Sequence, residues 1–247
     1  MVERISSGIS GLDEITHGGF VFPSVVYLLG EPGTGKTTFG MQFLVEGARK
    51  NEKGMYVTTI GDPEKIVLQP MKRFSFFEER YFYDGSIIYE DLSVILEAKQ
   101  SSNEQTNKYN GSVYAIVEEL KNMVQEHSPK RIVIDSITPL SLRSRNLSEY
   151  RSALYDLFAS MRRWNSVVIV VGEARGKEIR SEQYLADAVV HLGYYTRGIE
   201  TLKFIRVLKM REVAHDTHIH TLTISRAGIS LSPFPAIGFG GMMQGWE

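Results

Sequence analysis

The chain has 247 residues, of which 43% are hydrophobic, and it carries a formal net charge of -1. This composition can bury a sizeable core, and the near-neutral charge argues against a surface coated with basic residues for nucleic acid. The absence of cysteine excludes disulfides, thiolate metal sites and cysteine nucleophiles. The sequence has neither a signal-peptide pattern nor an apolar run of about 20 residues, so we expect a soluble cytoplasmic protein.

Short apolar runs alternate with longer amphipathic segments over the first two thirds of the chain. In chain order the pattern predicts a strand at 25–29, a helix at 37–50, strands at 55–59 and 86–89, a helix at 113–125, a strand at 131–135, a helix capped by Ser148 and a strand at 167–171. Alternation of this kind favours an α/β fold with a mostly parallel central sheet that is covered by helices on both faces.

The last third of the chain has a different pattern. Apolar runs at 188–192, 202–211 and 219–225 follow one another without helical spacers, which predicts an antiparallel extension of the sheet. The polar segment 99–111 is typical of a surface loop, and the glycine-rich segment 234–247 is typical of a flexible tail. Since the sequence shows no linker and no internal repeat, we expect residues 1–247 to form a single domain.

The octapeptide GEPGTGKT lies between the first predicted strand and the first predicted helix, and it matches the phosphate-binding pattern GxxxxGK[ST] at every fixed position. A Cβ at its second or third glycine would obstruct the approach of phosphates to the backbone N–H groups at the helix N-terminus. The lysine supplies a positive charge to the outer phosphates. The residues predicted to bind a nucleotide are Gly33, Thr34, Gly35, Lys36, Thr37 and Thr38.

A carboxylate ends the buried apolar strand at 131–135. P-loop proteins place the carboxylate that holds Mg²⁺ at this point, and a threonine hydroxyl after the phosphate-binding lysine can ligate the same ion. We therefore predict that Thr37 and Asp135 hold Mg²⁺. The alternative for Asp135 is an aspartate that only stabilises a turn or caps a helix.

Several motifs resemble those of the KaiC-like members of the RecA superfamily, over residues 5–233. They are residues 7–14 (SGISGLDE), 18–20 (GGF), 132–136 (IVIDS), 184–187 (YLAD), 209–211 (KMR) and His215. The resemblance implies a RecA-like P-loop domain that assembles into a homo-oligomeric ring, a hexamer, with the nucleotide held between subunits. No stretch of the sequence distinguishes adenine from guanine. The prediction that the nucleotide is ATP therefore comes from this resemblance.

Lys209 and Arg211 lie two positions apart on a predicted strand, so their side chains share a face, about 7 Å apart. Such a pair can simply be a solvated strand edge. In the family that the chain resembles, this pair reaches the γ-phosphate bound by the adjacent subunit, as an arginine finger does. The resemblance therefore implies that both residues act in catalysis across a subunit interface, and that a monomer is a poor catalyst.

The residues after the strand at 55–59 decide what we expect of hydrolysis. KaiC-like and RecA-like enzymes usually carry one or two glutamates here, which orient or deprotonate the attacking water. This chain has Ile60 and Gly61, neither of which can accept a proton. Asp62 follows and either replaces the missing base or only stabilises the turn before Pro63. A misplacement of about 1 Å can reduce a rate about a hundredfold, so we predict slow hydrolysis of ATP.

Two further groups have weaker interpretations. Glu173 and Arg175 follow a strand near the position where RecA-like folds sense the γ-phosphate, although a surface turn explains them nearly as well. Histidines and an aspartate between positions 215 and 220 could hold a metal, but histidines near a hairpin are more often surface or interface residues. The residues of this second group are His215, Asp216, His218 and His220.

Two alternative functions remain from the sequence. Basic clusters after the predicted strands, which include Arg143, Arg145, Arg151 and Arg162, suggest a recombinase-paralogue module that binds single-stranded DNA. The interleaved acidic residues make DNA the less favoured partner. The other alternative is a regulatory scaffold that does not hydrolyse its nucleotide, in which nucleotide occupancy drives association with a signalling partner.

Overall fold

The computed structural model describes residues 2–59, 62–101, 113–174 and 181–235. Its strands are β1 (Arg4–Ile5), β2 (Phe20–Val21), β3 (Ser24–Gly30), β4 (Gly54–Thr58), β5 (Ile87–Asp91), β6 (Arg131–Asp135), β7 (Val167–Glu173), β8 (Ala188–Arg197), β9 (Glu200–Met210), β10 (His220–Ser225) and β11 (Gly228–Pro233). Its helices are α1 (Leu12–Ile15), α2 (Lys36–Arg49), α3 (Glu64–Met71), α4 (Arg80–Tyr83), α5 (Leu92–Ser101), α6 (Val113–His127), α7 (Thr138–Arg143), α8 (Leu147–Met161) and α9 (Ser181–Leu185).

The central sheet has nine strands in the order β11-β10-β9-β8-β3-β7-β6-β4-β5. The six strands from β8 to β5 in this order are parallel, and β9, β10 and β11 extend the sheet in antiparallel fashion. This arrangement confirms the predicted mostly parallel sheet with a C-terminal antiparallel extension. A separate two-stranded sheet pairs β1 with β2.

The core lies in two layers, one on each face of the sheet. Neighbouring residues of a strand point to opposite faces, so Val26 packs in the layer that contains α2, whereas Val25 packs in the layer that contains α6 and α8. Both residues are fully buried, as expected for strands covered on both faces. Among the helices that the structure describes, none has the length and apolar character needed to cross a membrane.

The antiparallel extension and the N-terminal segment both attach to α2. The Gln42 side chain donates to the carbonyl of Gly8 at 2.7 Å and accepts from the backbone N–H of Ile229 at 2.9 Å. Ser10 forms a parallel bridge with Ser230 of β11, a strand that the sequence pattern did not predict. The helix that follows the octapeptide is therefore held by two segments that are distant in sequence.

Two local predictions were wrong. Ser148 is an exposed residue within α8, and the N-cap is Asn146, whose side-chain oxygen accepts from the backbone N–H of Glu149 at 2.9 Å. The predicted loop at 99–111 begins inside α5, which continues to Ser101. The rest of that predicted loop, and residues 236–247 of the predicted tail, lie outside the described residues.

Candidate functional site

The octapeptide forms the turn between β3 and α2, at the carboxyl edge of the parallel strands. Gly33 and Gly35 adopt left-handed conformations, with φ of 78° and 106°. A Cβ on Gly33 would lie 2.8 Å from the Tyr194 hydroxyl oxygen, and a Cβ on Gly35 would lie 2.6 Å from Cδ1 of Ile224. Both glycines are therefore required by the conformation of the turn and by the strands packed over it.

The Lys36 ammonium lies across this turn. It donates to the backbone carbonyls of Gly30 at 2.8 Å and Glu31 at 2.9 Å. Burial lowers the pKa of Lys36, while the carboxylates of Asp135, Glu173 and Glu31 act in the opposite direction. A partly desolvated ammonium at a helix N-terminus is a strong site for an anion, because few water molecules compete for its charge.

Thr37 and Asp135 meet at the same edge of the sheet. The Thr37 hydroxyl donates to Oδ2 of Asp135 at 2.9 Å, although the two residues are 98 positions apart in sequence. A hydroxyl and a carboxylate side by side, next to a phosphate-binding turn, match the oxygen donors that Mg²⁺ prefers. The parallel pairing of β6 with β7, and of β7 with β3, brings Asp135 to this position.

Glu173 ends β7 directly opposite Gly30 in the parallel ladder. The next residue, Ala174, donates its N–H to the Gly30 carbonyl at 3.2 Å. Its pairing with Gly30 places Glu173 beside the phosphate-binding turn, and its carboxylate acts to raise the pKa of Lys36 against the larger effect of burial. Arg175, its proposed companion as a phosphate sensor, lies outside the described residues.

The segment after β4 lies next to Asp135. Thr58 pairs with Asp135 in the parallel ladder, and the Thr59 hydroxyl donates to the Ser136 carbonyl. Ile60 and Gly61 are outside the described residues. The backbone carbonyl of Asp62 accepts a hydrogen bond from the Tyr89 hydroxyl at 2.7 Å. Asp62 is thus near the site, and the contact seen there involves its main chain.

The sequence reasoning missed several residues that line the site. The Tyr56 hydroxyl donates to Oδ2 of Asp135 at 2.7 Å. Lys203 of β9 donates to the Gly33 carbonyl at 2.9 Å, and the Tyr194 hydroxyl donates to the Pro32 carbonyl at 3.2 Å. No sequence motif marks a single tyrosine or lysine within a strand. These contacts are seen only when distant strands are paired in the structure.

Lys209 and Arg211 both bind the segment 184–187 of their own chain. Lys209 donates to the carbonyls of Tyr184 at 3.2 Å and Ala186 at 2.6 Å. Arg211 donates to the same Tyr184 carbonyl at 2.7 Å and lies 3.5 Å from the Asp187 carboxylate. Burial, and then the charge of Arg211, lower the pKa of Lys209. The two motifs KMR and YLAD are therefore parts of one structural unit.

This unit lies at the opposite end of the sheet from the phosphate-binding turn. Met210 pairs with Ala188, which pairs with Val26, whereas the turn begins at Gly30. Val26 and Gly30 are four residues apart on β3, which corresponds to about 13 Å along the strand. Lys209 and Arg211 therefore cannot contact a phosphate held by the turn of their own chain without a large rearrangement.

The histidine group and one member of the basic clusters make contacts within the described part of the chain. Asp216 lies between two imidazoles, 2.6 Å from Nδ1 of His218 and 3.6 Å from Nε2 of His220. Within the described ranges, no group of three or more histidine, aspartate or glutamate residues has the arrangement of a metal site. Arg162 forms an ion pair with Asp187 at 3.1 Å, so this member of the basic clusters has an acidic partner.

Comparison with known proteins agrees with this arrangement. A family model described as the KaiC ATPase matches residues 5–235. A UPF0273 protein of Pyrococcus furiosus is 29% identical over 94% of this chain and 95% of its own length. The circadian clock oscillator protein KaiC of a Nostoc species is 28% identical over 96% of this chain, which spans 45% of that protein.

A solved structure also matches. The crystal structure of a KaiC-like protein from Pyrococcus horikoshii superimposes with a TM-score of 0.79 and 30% identity, over 94% of this chain and all of that chain. Together with the family match over nearly the whole sequence, this establishes the relationship. The chain belongs to the KaiC ATPase family.

Proposed function

We propose that this protein binds ATP with Mg²⁺, acts as a homo-oligomeric ring and hydrolyses ATP slowly. The observation that carries the proposal is the convergence of three side chains at one edge of the sheet. Lys36 spans the glycine turn, and the Thr37 hydroxyl lies 2.9 Å from the Asp135 carboxylate. An ammonium, a hydroxyl and a carboxylate beside a helix N-terminus are the groups needed to bind a triphosphate and its metal ion.

Thr37 and Asp135 would hold the magnesium ion. When bound there, the ion would supply positive charge that offsets the negative charge of the phosphates. The residues of this chain have complementary tasks. Backbone N–H groups of residues 34–38 bind the phosphates, and Lys36 places its charge against the outer ones. Glu173, opposite Gly30, would then lie close to the end of the phosphate chain.

Slow hydrolysis follows from the residues after β4. Positions 60 and 61 carry isoleucine and glycine where the family usually has glutamates. A positioned general base contributes about 10²–10⁴ in rate, so its replacement by groups that cannot accept a proton lowers turnover strongly. Asp62 is the nearest carboxylate along the chain. Its main-chain carbonyl is fixed by Tyr89, which supports a structural task for this residue.

The ring is supported by the location of Lys209 and Arg211. Both cations lie at the end of the sheet opposite to their own phosphate-binding turn, and the Arg211 side chain is exposed. In a ring, subunits contact one another head to tail, so this end of one subunit can face the phosphate-binding turn of the next. We propose that the two cations complete the neighbouring site in this way.

Calorimetry with magnesium present tests nucleotide binding. We expect ATP to bind the wild-type protein, and Lys36→Ala to weaken binding about 10–100-fold, since a charge-assisted hydrogen bond contributes about 1.5–3 kcal/mol. Lys53→Ala is the matched control, because Lys53 is an exposed residue just before β4, at the opposite edge of the sheet. If well-folded wild-type protein took up no nucleoside triphosphate, the proposed function would be wrong.

A further inference from the structure

Tyr56 is a buried tyrosine that contacts the carboxylate assigned to magnesium. It lies on β4 beside Val133 of β6, two residues before the pair formed by Thr58 and Asp135. This register brings its hydroxyl to 2.7 Å from Oδ2 of Asp135. The side chain of Thr37 donates to the same oxygen at 2.9 Å. Among the described residues, two side chains donate a hydrogen bond to the Asp135 carboxylate, and both bind its Oδ2 atom.

The Tyr56 side chain is shielded from solvent. The residue is 2% exposed, and burial raises the pKa of its phenol well above the usual value of about 10. The negative charge of Asp135 and the hydrogen bond to it act in the same direction. The hydrogen bond from this hydroxyl holds the Asp135 carboxylate in one orientation.

A second tyrosine connects this contact to the segment after β4. The rings of Tyr56 and Tyr89 stack with centroids 5.4 Å apart and an interplanar angle of 17°. The Tyr89 hydroxyl donates to the Asp62 carbonyl at 2.7 Å. Burial raises the pKa of the Tyr89 phenol, so it remains a donor. The aromatic stack thus joins Asp62 at one end to Asp135 at the other.

We propose that Tyr56 is a positioning residue for the magnesium carboxylate, and that Tyr89 anchors the backbone of Asp62 beside it. The inference rests on the proposed function, because it takes Asp135 as the residue that holds Mg²⁺. Carboxylates that bind metal ions are themselves held by hydrogen bonds, and removal of such a partner typically costs about 10–100-fold in metal affinity or activity. With Oδ2 fixed by two hydroxyls, the orientation of the other carboxylate oxygen is fixed as well.

Tyr56→Phe tests the first part, because it deletes the hydroxyl and keeps the ring and its stacking. ATP affinity is measured by calorimetry with Mg²⁺ and again with excess EDTA, and the ratio of the two affinities defines the magnesium gain. We expect the magnesium gain of Tyr56→Phe to fall about 10–100-fold below that of the wild type, with the affinity in EDTA unchanged. A residue that only supports the fold would lower both affinities together.

Tyr81→Phe is the matched control. Tyr81 is also buried, and its hydroxyl accepts from Arg80 on α4, away from Asp135. We expect this variant to keep the full magnesium gain, and thermal melts to show that both variants are folded. If Tyr56→Phe kept the wild-type gain, the positioning task would be wrong. If the wild type bound ATP without any magnesium gain, both the inference and the assignment of Asp135 would be wrong.

Tyr89→Phe tests the second part. It keeps the stack on Tyr56 and removes only the hydrogen bond to the Asp62 carbonyl. We expect amide hydrogen exchange at Asp62 and Glu64 to become faster in this variant, while exchange in Tyr81→Phe stays at the wild-type rate. Unchanged exchange in Tyr89→Phe would contradict the anchoring task.

Discussion

The Arg211 guanidinium lies 3.5 Å from the Asp187 carboxylate, at the end of the sheet opposite to the phosphate-binding turn. The same carboxylate accepts from the backbone N–H of Val25 at 3.0 Å and pairs with Arg162 at 3.1 Å. One aspartate therefore joins the start of β3, the end of α8 and the end of β9. This arrangement holds Arg211 far from the nucleotide site of its own chain and leaves it exposed.

We predict that Arg211→Ala lowers ATP turnover by at least about tenfold, since arginine fingers contribute 10³ or more in faster enzymes. ATP affinity of the dissociated chain should stay at the wild-type value, because the binding turn is intact and lies about 13 Å or more away along the strands. Single-turnover hydrolysis of radiolabelled ATP by the assembled protein checks the first expectation, and calorimetry on the dissociated chain checks the second.

Mixing variants distinguishes action between subunits from action within one. Lys36→Ala and Arg211→Ala are each expected to have strongly reduced activity alone. In rings assembled from equal amounts of the two, about a quarter of the interfaces combine an intact turn with an intact arginine, so partial activity should return. If the mixture stayed as inactive as its components, Arg211 would not act on a neighbouring site.

A glutamate introduced at position 60 should increase hydrolysis. We expect Ile60→Glu to raise ATP turnover about tenfold or more, because a general base contributes about 10²–10⁴ when it is well placed. Ile60→Gln is the control, since it has nearly the same shape and cannot accept the proton at neutral pH. Equal turnover in both variants would show that the missing base does not limit hydrolysis.

Asp62→Asn should leave the wild-type rate nearly unchanged if this residue only supports the turn.

The N-cap of α8 offers a test of the fold. Asn146→Ala should destabilise the protein by about 1 kcal/mol, because it leaves the N–H of Glu149 without its side-chain acceptor. Ser148→Ala should change stability very little, since Ser148 is an exposed residue within the helix. Urea denaturation of the two variants compares them directly. A larger effect at Ser148 would show that the helix begins later than in this structure.

The ion pair of Glu52 with Arg131 predicts a pH dependence of stability. Arg131 is fully buried, and its guanidinium lies 2.6 Å from the Glu52 carboxylate. Burial acts to raise the pKa of Glu52, but the hydrogen bonds and charges of Arg131 and Lys130 outweigh it, and the net pKa lies below the usual value. Because the folded pKa is lowered, the contribution of Glu52 is complete above the unfolded pKa of about 4.3 and is lost as the pH falls through the folded pKa.

Glu52→Gln should therefore lower the free energy of unfolding at pH 7 by about 3–5 kcal/mol, since it removes the carboxylate that forms the ion pair with a buried guanidinium. The difference from the wild type should shrink as the pH falls below about 4.3. Glu118→Gln is the control, because Glu118 pairs with Lys121 on the surface at 2.7 Å and should contribute less than about 1 kcal/mol. Urea denaturation between pH 3 and pH 8 measures both variants.

The sequence by itself determined the features whose residues are contiguous. The octapeptide between β3 and α2 carries its whole pattern in eight positions, and the strands β3, β6 and β7 are apolar runs that lie where the pattern predicted them. The wrong prediction of a cap at Ser148 also has a local cause. A cap at Asn146 and one at Ser148 satisfy the same short-range rule, and only the backbone path selects between them.

Only the tertiary structure decided which distant residues meet. The contact of Tyr56 with Asp135 depends on the register of β4 against β6, and the distance of Arg211 from Gly30 depends on the register of β8 between β3 and β9. A shift of one residue in either ladder would turn these side chains to the opposite face of the sheet. Register is fixed by the packing of the whole core, so no local pattern in the sequence contains it.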